Sequence, residues 1–280
     1  MIRGLARTVS RRLGTWPRGP RVQRAWELGE LFLQSVQAKR TFASLEDEVT
    51  AVIGLLPDER PVIVDAGAHR GEWTRAMLRR IGDRRPRMLL IEPASVNLQT
   101  LRALEGERIA VLPYALSDRV GSASLHTSEI APYLPSLFER RIEHEPVRMT
   151  GTERVRTVAL DALMEERGLD RIDLLKMDIE GAELLALRGA SRALARAALG
   201  AVTFEVGAAN VDGGGFFKDY WCLFGGFGYR VFRIMHGGWL LPVGEYRESL
   251  ECFQKSNYVA VSPAVAARAG VGAHAVAEAV

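Results

Sequence analysis

The chain contains few of the residues that build disulfide scaffolds or zinc sites. Among its 280 residues there are two cysteines and five histidines. Cys222 and Cys252 lie far apart, and neither has a cysteine or histidine beside it at the spacing of a zinc site. The composition argues against such a site and predicts two buried, reduced thiols. A disulfide between the two cysteines is the alternative.

Long apolar runs are also missing. No run of roughly eighteen or more apolar residues occurs, so no transmembrane span is predicted. Residues 1–26 hold seven arginines and no acidic residue, but no apolar segment follows them to complete a signal peptide. We therefore expect a cytoplasmic protein. The arginine-rich start is predicted to be a solvated arm, and the alternative is a contact to anionic lipid or an acidic polymer.

Beyond that start, neither sign of charge dominates. The 37 lysines and arginines are nearly balanced by 34 acidic residues, which gives a net charge of +3. We therefore expect no nucleic acid partner for the main domain. Hydrophobic residues make up 48% of the chain, enough to build the core of one large domain or of one domain with extensions.

The hydrophobic pattern changes along the chain. Apolar residues at three- and four-residue steps predict helices over residues 24–56, and from Pro61 short apolar strands alternate with helices. This order predicts an α/β fold with a doubly wound, mostly parallel sheet and an N-terminal helical extension. We expect an arm and extension over 1–56, the main domain over 57–263 and an alanine-rich tail over 264–280. The proline-containing residues 130–151 are predicted to form a loop or lid.

The strongest functional signal is the segment VIVDAGAHRG at residues 62–71. An apolar strand ends at Asp65, and a turn containing Gly67, His69 and Gly71 follows at the sheet edge where such folds bind cofactors. Its spacing is not the G-x-G-x-x-G of dinucleotide sites, which argues against a nicotinamide-dependent oxidoreductase. A phosphate-free ligand such as S-adenosylmethionine fits, with Asp65 accepting from its ammonium directly or through the turn. A purely structural glycine turn is the alternative.

Polar residues also end the next two predicted strands. Glu92, at the end of LLIE, has a carboxylate that can accept both hydroxyls of a ribose, and a helix cap is the alternative. In the segment ALSD, Ser117 and Asp118 can reach the amino group of an adenine. The alternative for these two residues is a simple turn.

Three acids and a lysine crowd the end of the fourth core strand, in IDLLKMDIEGAE. Burial and mutual repulsion shift such acids towards proton transfer, and their oxygens can hold a divalent cation. Asp178 is the first candidate for a catalytic base or metal ligand, and Glu180 is the second candidate for the base. Glu205, after the fifth strand, is a further metal candidate. The alternatives are helix capping with a salt bridge, and for Glu205 a buried acid paired with an arginine.

Taken in order, five segments resemble the FkbM-type methyltransferase family over roughly residues 62–206: VIVDAGAHRG, LLIEP, ALSD, TVALDAL and IDLLKMDIEGAELLALRGA. The resemblance implies the Rossmann-like class I methyltransferase fold, with seven strands of which the last is antiparallel. It also implies methylation of an oxygen, often a sugar or polyketide hydroxyl. His69 departs from the family, which commonly has asparagine at that position.

These patterns predict a methyltransferase that uses S-adenosylmethionine and acts on a hydroxyl of a small-molecule or glycan acceptor. A non-catalytic protein that binds S-adenosylmethionine or a partner is the alternative, and the acids after the fourth strand argue against it. An enzyme that methylates nucleic acid nitrogens often has two prolines and an aromatic residue there, and this chain does not. His126 and His144 are minor candidates for a catalytic role, and Ser136 is a candidate for the acceptor pocket. An aromatic set is placed to stack on a sugar ring, with a simple core role as the alternative: Phe216, Phe217, Tyr220, Trp221 and Trp239.

Overall fold

The computed structural model describes residues 24, 27–29, 31–32, 44–129, 131, 134–140, 148–251 and 253–271. The predictions for the arginine-rich arm, for His144 and Cys252, and for much of the loop and tail fall outside these residues. Residues 24, 27–29 and 31–32 are helical, as the periodicity predicts. In the part of the chain that is described, no helix combines the length and apolarity needed to cross a bilayer.

Strands alternate with helices from residue 62 onward, except that four strands over residues 109–158 follow one another without an intervening helix among the described residues. The bounds of the strands are β1 Val62–Ala66, β2 Arg87–Ile91, β3 Ile109–Leu112, β4 Tyr114–Leu116, β5 Gly121–Thr127, β6 Gly151–Val158, β7 Ile172–Met177, β8 Leu199–Val206, β9 Arg230–Ile234, β10 Leu240–Pro242 and β11 Ser256–Val261. The helices are α1 Leu45–Ile53, α2 Glu72–Arg80, α3 Ser95–Leu101, α4 Leu160–Glu166, α5 Glu183–Arg188, α6 Ser191–Ala195, α7 Ala208–Gly213, α8 Phe217–Gly226 and α9 Pro263–Ala269.

Eight of the described strands form the main sheet, in the order β3-β2-β1-β7-β8-β11-β9-β10. The pairs from β3 to β8 are parallel, and β11 runs antiparallel to β8 and β9. This confirms the predicted doubly wound α/β fold with its antiparallel last strand. The short strand β10 pairs with β9 after the turn at Gly237 and adds an eighth strand at the edge. Strands β4, β6 and β5 form a second sheet beside it.

Both faces of the main sheet are covered, as expected for parallel strands with apolar residues on both sides. On one face, residues such as Val64 and Leu175 pack against α4, α5, α6 and α8. On the other, residues such as Ile63 and Leu174 pack against α1, α2 and α9. Each large side chain buried in this way stabilises the fold by roughly 1.5–3 kcal/mol.

Two helix predictions need correction. The apolar pattern of residues 182–196 predicts a single helix, but Gly189 and Ala190 separate α5 from α6. A Cβ at Gly189 would lie 2.1 Å from the carbonyl oxygen of Ser117, so only glycine allows this close approach to the end of β4. The position of Asp161 at the start of α4 predicts that it caps that helix. Its carboxylate instead accepts from the backbone N–H groups of Arg192 and Ala193, both at 2.9 Å, and caps α6.

Helix α1 packs into the core although it belongs to the predicted extension. Its Val49 and Val52 are fully buried. Ser44 and Asp47 form a reciprocal capping box at its start, and Asp47 also accepts from the backbone N–H of Gly237 at 2.9 Å. The helix is therefore fixed against the turn between β9 and β10. The predicted division of the chain at residues 56 and 263 stays a prediction.

Cys222 lies on α8 and is exposed as a free thiol. The prediction that it is buried is wrong because its position on the amphipathic helix α8 faces away from the core residues Phe217, Tyr220 and Phe224.

Candidate active site

A cavity of about 370 Å³ lies at the carboxyl ends of β1, β2, β4 and β7. Its volume falls within the roughly 300–1,000 Å³ of typical small-molecule sites. Five of the predicted site residues line it: Gly67, His69, Glu92, Asp178 and Glu180. Residues up to 113 positions apart in the sequence thus meet at one edge of the sheet, as expected for a doubly wound fold.

The turn after β1 is held in a conformation that favours glycine. Gly67 has a φ of 72° and Gly71 a φ of 86°. A Cβ at Gly67 would lie 1.8 Å from the carbonyl oxygen of Asp178, and one at Gly71 would lie 2.6 Å from Leu104 Cδ1. Backbone angles and close contacts within the protein itself therefore explain why glycine occupies both positions. Gly67 borders the cavity, and a ligand contact at Gly71 stays a prediction.

His69 also has a left-handed backbone, with a φ of 49°. Asparagine, aspartate and histidine are enriched among the non-glycine residues that adopt such angles. The backbone therefore explains why histidine can stand where the FkbM pattern has asparagine. Its Nδ1 lies 3.3 Å from Glu72 Oε2 at the start of α2.

Glu92 is fixed by three donors at the end of β2. Its Oε2 accepts from the backbone N–H of His69 at 2.8 Å, and its Oε1 accepts from the N–H of Ala94 at 3.0 Å and from Asn97 Nδ2 at 3.2 Å. Burial raises the pKa of Glu92 although these donors oppose the shift. The carboxylate is thus held rigidly in the cavity wall.

Asp65 lies beneath the turn and is not part of the cavity wall. Its carboxylate is fully buried, accepts from Thr74 Oγ1 at 2.6 Å and pairs with Lys176 Nζ at 2.9 Å. Lys176 in turn donates to the carbonyl oxygen of Gly67 at 2.9 Å. In this position Asp65 can act on a ligand only indirectly, by holding the turn, and its role in cofactor binding stays a prediction.

Asp178 follows β7 and faces the cavity beside two lysines. Burial opposes its ionisation, but Lys255, Lys176 and His69 together hold its pKa below the ordinary value. Its backbone N–H donates to the carbonyl oxygen of Ala66 at 3.1 Å, which joins the ends of β7 and β1. Asp178 is therefore held as an anion in the wall of the cavity.

Glu180 forms an ion pair with Arg140, which also lies 3.9 Å from Asp212. Its carbonyl oxygen accepts from Ser136 Oγ at 2.7 Å. Burial, reinforced by Asp178, raises the pKa of Glu180 to about 8, and Arg140 opposes the shift. Residues 134–140 of the predicted loop are thus tied to the end of β7.

The two candidate metal ligands face ammonium groups. Glu205 forms an ion pair with Lys255, and it lines a smaller cavity rather than the main one. Asp178 lies in the field of Lys255 and Lys176. Within the described ranges, no group of three or more histidine, cysteine, aspartate or glutamate side chains is placed to hold a metal ion. The prediction of a metal site gains no support from this arrangement.

Ser117 and Asp118 are not brought into the cavity wall. Ser117 Oγ donates to Asp118 at 3.2 Å, and the Asp118 carboxylate pairs with Arg119 at 3.1 Å. This geometry fits the alternative of a turn. The wall beside them is formed by Tyr114, Ala115 and Leu116.

Four of the five aromatic candidates for the acceptor pocket separate into two groups, and the fifth, Trp221, is partly buried. Phe217 and Tyr220 are fully buried core residues, whereas Phe216 and Trp239 are about half exposed on the surface. His126 pairs through its backbone with Ser136 and is not a wall residue.

Several wall residues were missed by sequence reasoning: Glu48, Trp73, Asn97, Tyr114 and Lys255. Asn97 and Trp73 lie within five residues of a predicted motif, so that proximity was a usable signal. Glu48 and Lys255 lie far from every motif along the chain and carry no such signal.

The chain is also similar in sequence to known methyltransferases. The family model described as the methyltransferase FkbM domain matches residues 65–231. The chain is 29% identical over 158 residues to 2-O-methyltransferase NoeI of Sinorhizobium fredii, which covers 52% of this chain and 63% of that protein, less than two thirds of its length. It is 29% identical over 200 residues to methyltransferase sdnD of Sordaria araneosa, covering 61% and 75%.

Solved methyltransferase structures are also similar to the chain. Methyltransferase FkbM from Methylobacillus flagellatus has a TM-score of 0.45 and 19% identity, covering 74% of this chain and 45% of that one. A precorrin-6y C5,15-methyltransferase from Geobacter metallireducens has a TM-score of 0.39 and 11% identity, covering 77% and 87%. Because the family model spans more than half of the chain, the protein belongs to the FkbM methyltransferase domain family.

Proposed function

We propose that the protein is an S-adenosylmethionine-dependent methyltransferase that methylates a hydroxyl of a sugar, a glycan or glycolipid, or a polyketide-type product. The observation that carries the proposal is the juxtaposition of Gly67, Glu92 and Asp178 in one cavity of a chain that belongs to this family. Transfer to oxygen is supported by the name of the relative NoeI, a 2-O-methyltransferase.

The cavity wall fits the proposed cofactor. Glu92 offers a fixed carboxylate for ribose hydroxyls, and Leu116, Leu125 and Leu137 supply apolar surface for a flat ring. Three further wall residues carry a buried nitrogen or oxygen without a partner among the described residues: His69 Nε2, Trp73 Nε1 and Asn97 Oδ1. When bound, S-adenosylmethionine supplies an electrophilic methyl group on a cationic sulfur.

The residues of the chain then have distinct tasks. Glu92 binds and orients the cofactor through hydrogen bonds. Asp178 keeps a negative charge at the end of β7, which favours a cation there, and its lowered pKa makes it a weak base. Glu180, paired with Arg140, positions residues 134–140 over the acceptor side. Enclosure by this segment excludes water that would compete with the acceptor.

Calorimetric titration of the purified protein with S-adenosylmethionine and, separately, with NAD tests the cofactor. We expect binding of S-adenosylmethionine and none of NAD, and the reverse result would reject the proposal. Incubation with S-adenosylmethionine and a panel of methyl glycosides, followed by detection of S-adenosylhomocysteine and methylated product, tests the reaction. Tight cofactor binding without transfer to any acceptor would favour the non-catalytic alternative.

A further inference from the structure

Glu48 reaches the cavity from outside the residues that define the family. The family model begins at residue 65, whereas Glu48 lies on α1. It is half-buried and lines the cavity together with His69 and Asp178. Asn257 Nδ2 on β11 donates a hydrogen bond to its carboxylate. Because α1 is fixed by its capping box and by Gly237, this carboxylate has a defined position.

A second, small cavity lies next to Glu48. Its volume is about 10 Å³, close to the minimum needed for one water molecule. Glu48 and Asp178 belong to the walls of both cavities. The other polar residues of the small cavity are Lys176, Thr203, Glu205 and Asn257. Thr203 Oγ1 is buried and has no hydrogen-bond partner among the described residues. Glu48 therefore stands between the main cavity and a polar site of water size.

The charged groups around Glu48 come from several elements. Burial and the charge of Asp178 raise the pKa of Glu48 to about 7, Glu205 adds to the shift, and Lys255 and Lys176 oppose it. A base is most effective when its pKa lies near the working pH.

Four other acids line the cavity. Asp178 is held ionised and Glu180 is engaged by Arg140, while Glu92 accepts from three donors and Glu72 lies beside His69. Glu48, by contrast, has a neutral amide as its hydrogen-bond partner.

We propose, on the basis of the proposed function, that Glu48 lies at the methyl-transfer end of the cavity and takes up the proton of the acceptor hydroxyl. The O–H bond breaks and its proton moves to the Glu48 carboxylate. The oxygen lone pair forms the new bond to the methyl carbon, and the electron pair of the broken carbon–sulfur bond stays on sulfur, which becomes a neutral thioether. The proton then leaves Glu48 through the small cavity.

The protons released when the cofactor binds report on the position of Glu48, and they can be measured without a methyl acceptor. A cationic sulfur beside Glu48 favours its carboxylate, so S-adenosylmethionine releases the proton of Glu48, and the neutral S-adenosylhomocysteine does not. Titrations of both ligands at pH 7, in two buffers with different ionisation enthalpies, count the protons released. We expect the wild-type protein to release about half a proton more with S-adenosylmethionine. Glu48→Gln should abolish this difference, and Glu46→Gln, exposed on the same helix, should preserve it.

The outcomes separate the two proposals. A wild-type protein that does not bind S-adenosylmethionine contradicts the proposed function, whereas binding with an unchanged proton difference in Glu48→Gln overturns the role of Glu48 alone. Circular dichroism checks that the variant folds. If the variant does not fold, the pH dependence of the proton difference in the wild-type protein still tests the proposal. The proton difference should be largest near pH 6, fall at lower pH once the S-adenosylmethionine complex is also protonated, and vanish near pH 9, and a difference that stays constant over this range would overturn the proposal.

Discussion

The backbone N–H of His69 donates to Oε2 of Glu92 at 2.8 Å and so joins the turn after β1 to the end of β2. The other carboxylate oxygen is held by Ala94 and Asn97 from the start of α3. Two cofactor-binding candidates, separated by 23 residues, thus fix each other. A site held by backbone donors is preorganised for its ligand, and the reorganisation cost of binding is small.

Glu92→Gln should weaken the binding of S-adenosylmethionine by at least about tenfold. A glutamine has one acceptor oxygen, so it cannot accept from His69 on one side and from Ala94 on the other. The loss of one such hydrogen bond to a charged group corresponds to roughly 1.5–3 kcal/mol. Calorimetry measures the effect, and Glu107→Gln on the exposed turn before β3 is the control. Equal affinities in both variants would remove Glu92 from the site.

Substitutions at His69 should follow backbone preference rather than side-chain chemistry. His69→Asn should leave the free energy of unfolding unchanged, because asparagine tolerates a positive φ. His69→Val should lower it by roughly 1–3 kcal/mol and also weaken cofactor binding, because valine is strained there and the turn shifts away from Glu92. Denaturant titration and calorimetry on both variants check this. A valine variant as stable as the wild type would contradict the left-handed turn.

The buried pair Asp65–Lys176 should matter to the fold as well as to the site. Asp65→Ala removes the direct ion-pair partner of the buried Lys176, and breaking a buried pair in this way typically costs about 3–5 kcal/mol. Loss of binding in this variant would therefore reflect the fold. The double variant Asp65→Leu with Lys176→Met should recover most of the unfolding temperature. If the double variant is no more stable than Asp65→Ala, the destabilisation has another origin.

The ligand-free protein should become less stable as the pH rises from about 5 to about 8. Burial raises the pKa of Glu48 to about 7 and those of Glu180 and Glu183 to about 8. In this window the folded state binds more protons than the unfolded state, so the free energy of unfolding falls with pH. The lowered pKa of Asp178 acts in the opposite direction, but only below about pH 4.

Glu183→Gln isolates one of these carboxyls. The glutamine oxygen can still accept from the backbone N–H of Ile179, so the start of α5 is preserved. We expect this variant to be roughly 1–3 kcal/mol more stable than the wild type at pH 8.5 and equal to it at pH 4.5. Thermal unfolding at both values measures the difference. Glu245→Gln, with an exposed side chain, should follow the wild type at both, and the same behaviour in Glu183→Gln would contradict the raised pKa.

Local sequence patterns were sufficient to predict those strands whose burial depends on their own apolar residues. The apolar runs at β1, β2 and β7 predicted buried parallel strands. The acids that end β2 and β7, Glu92 and Asp178, meet in the cavity as expected, whereas Asp65 at the end of β1 lies beneath the turn and not in the cavity wall. The same reasoning failed at Asp161, whose position beside a helix start predicts a cap but does not say which helix it caps. Its partners, Arg192 and Ala193, lie some 30 residues further along the chain.

The charges of the site could not be predicted in the same way. Three nearby acids suggested repulsion, yet Asp178 is held ionised by Lys255, which approaches from the segment before β11. Ser117 and Asp118 carry the right groups at a strand end, but their side chains engage each other and Arg119. Which neighbour a polar side chain meets depends on packing between elements that are remote in sequence.

By itself, the sequence determined the family, the doubly wound sheet and the strand ends at which the site lies, because hydrophobic period and glycine turns are local properties of the chain. Tertiary structure alone decided the rest. It placed Asp65 beneath the turn beside Lys176, and it paired Glu180 with Arg140. It also brought Glu48 into the cavity from α1. These contacts join residues 40 to 130 positions apart, and their burial and charge exist only once the core has formed.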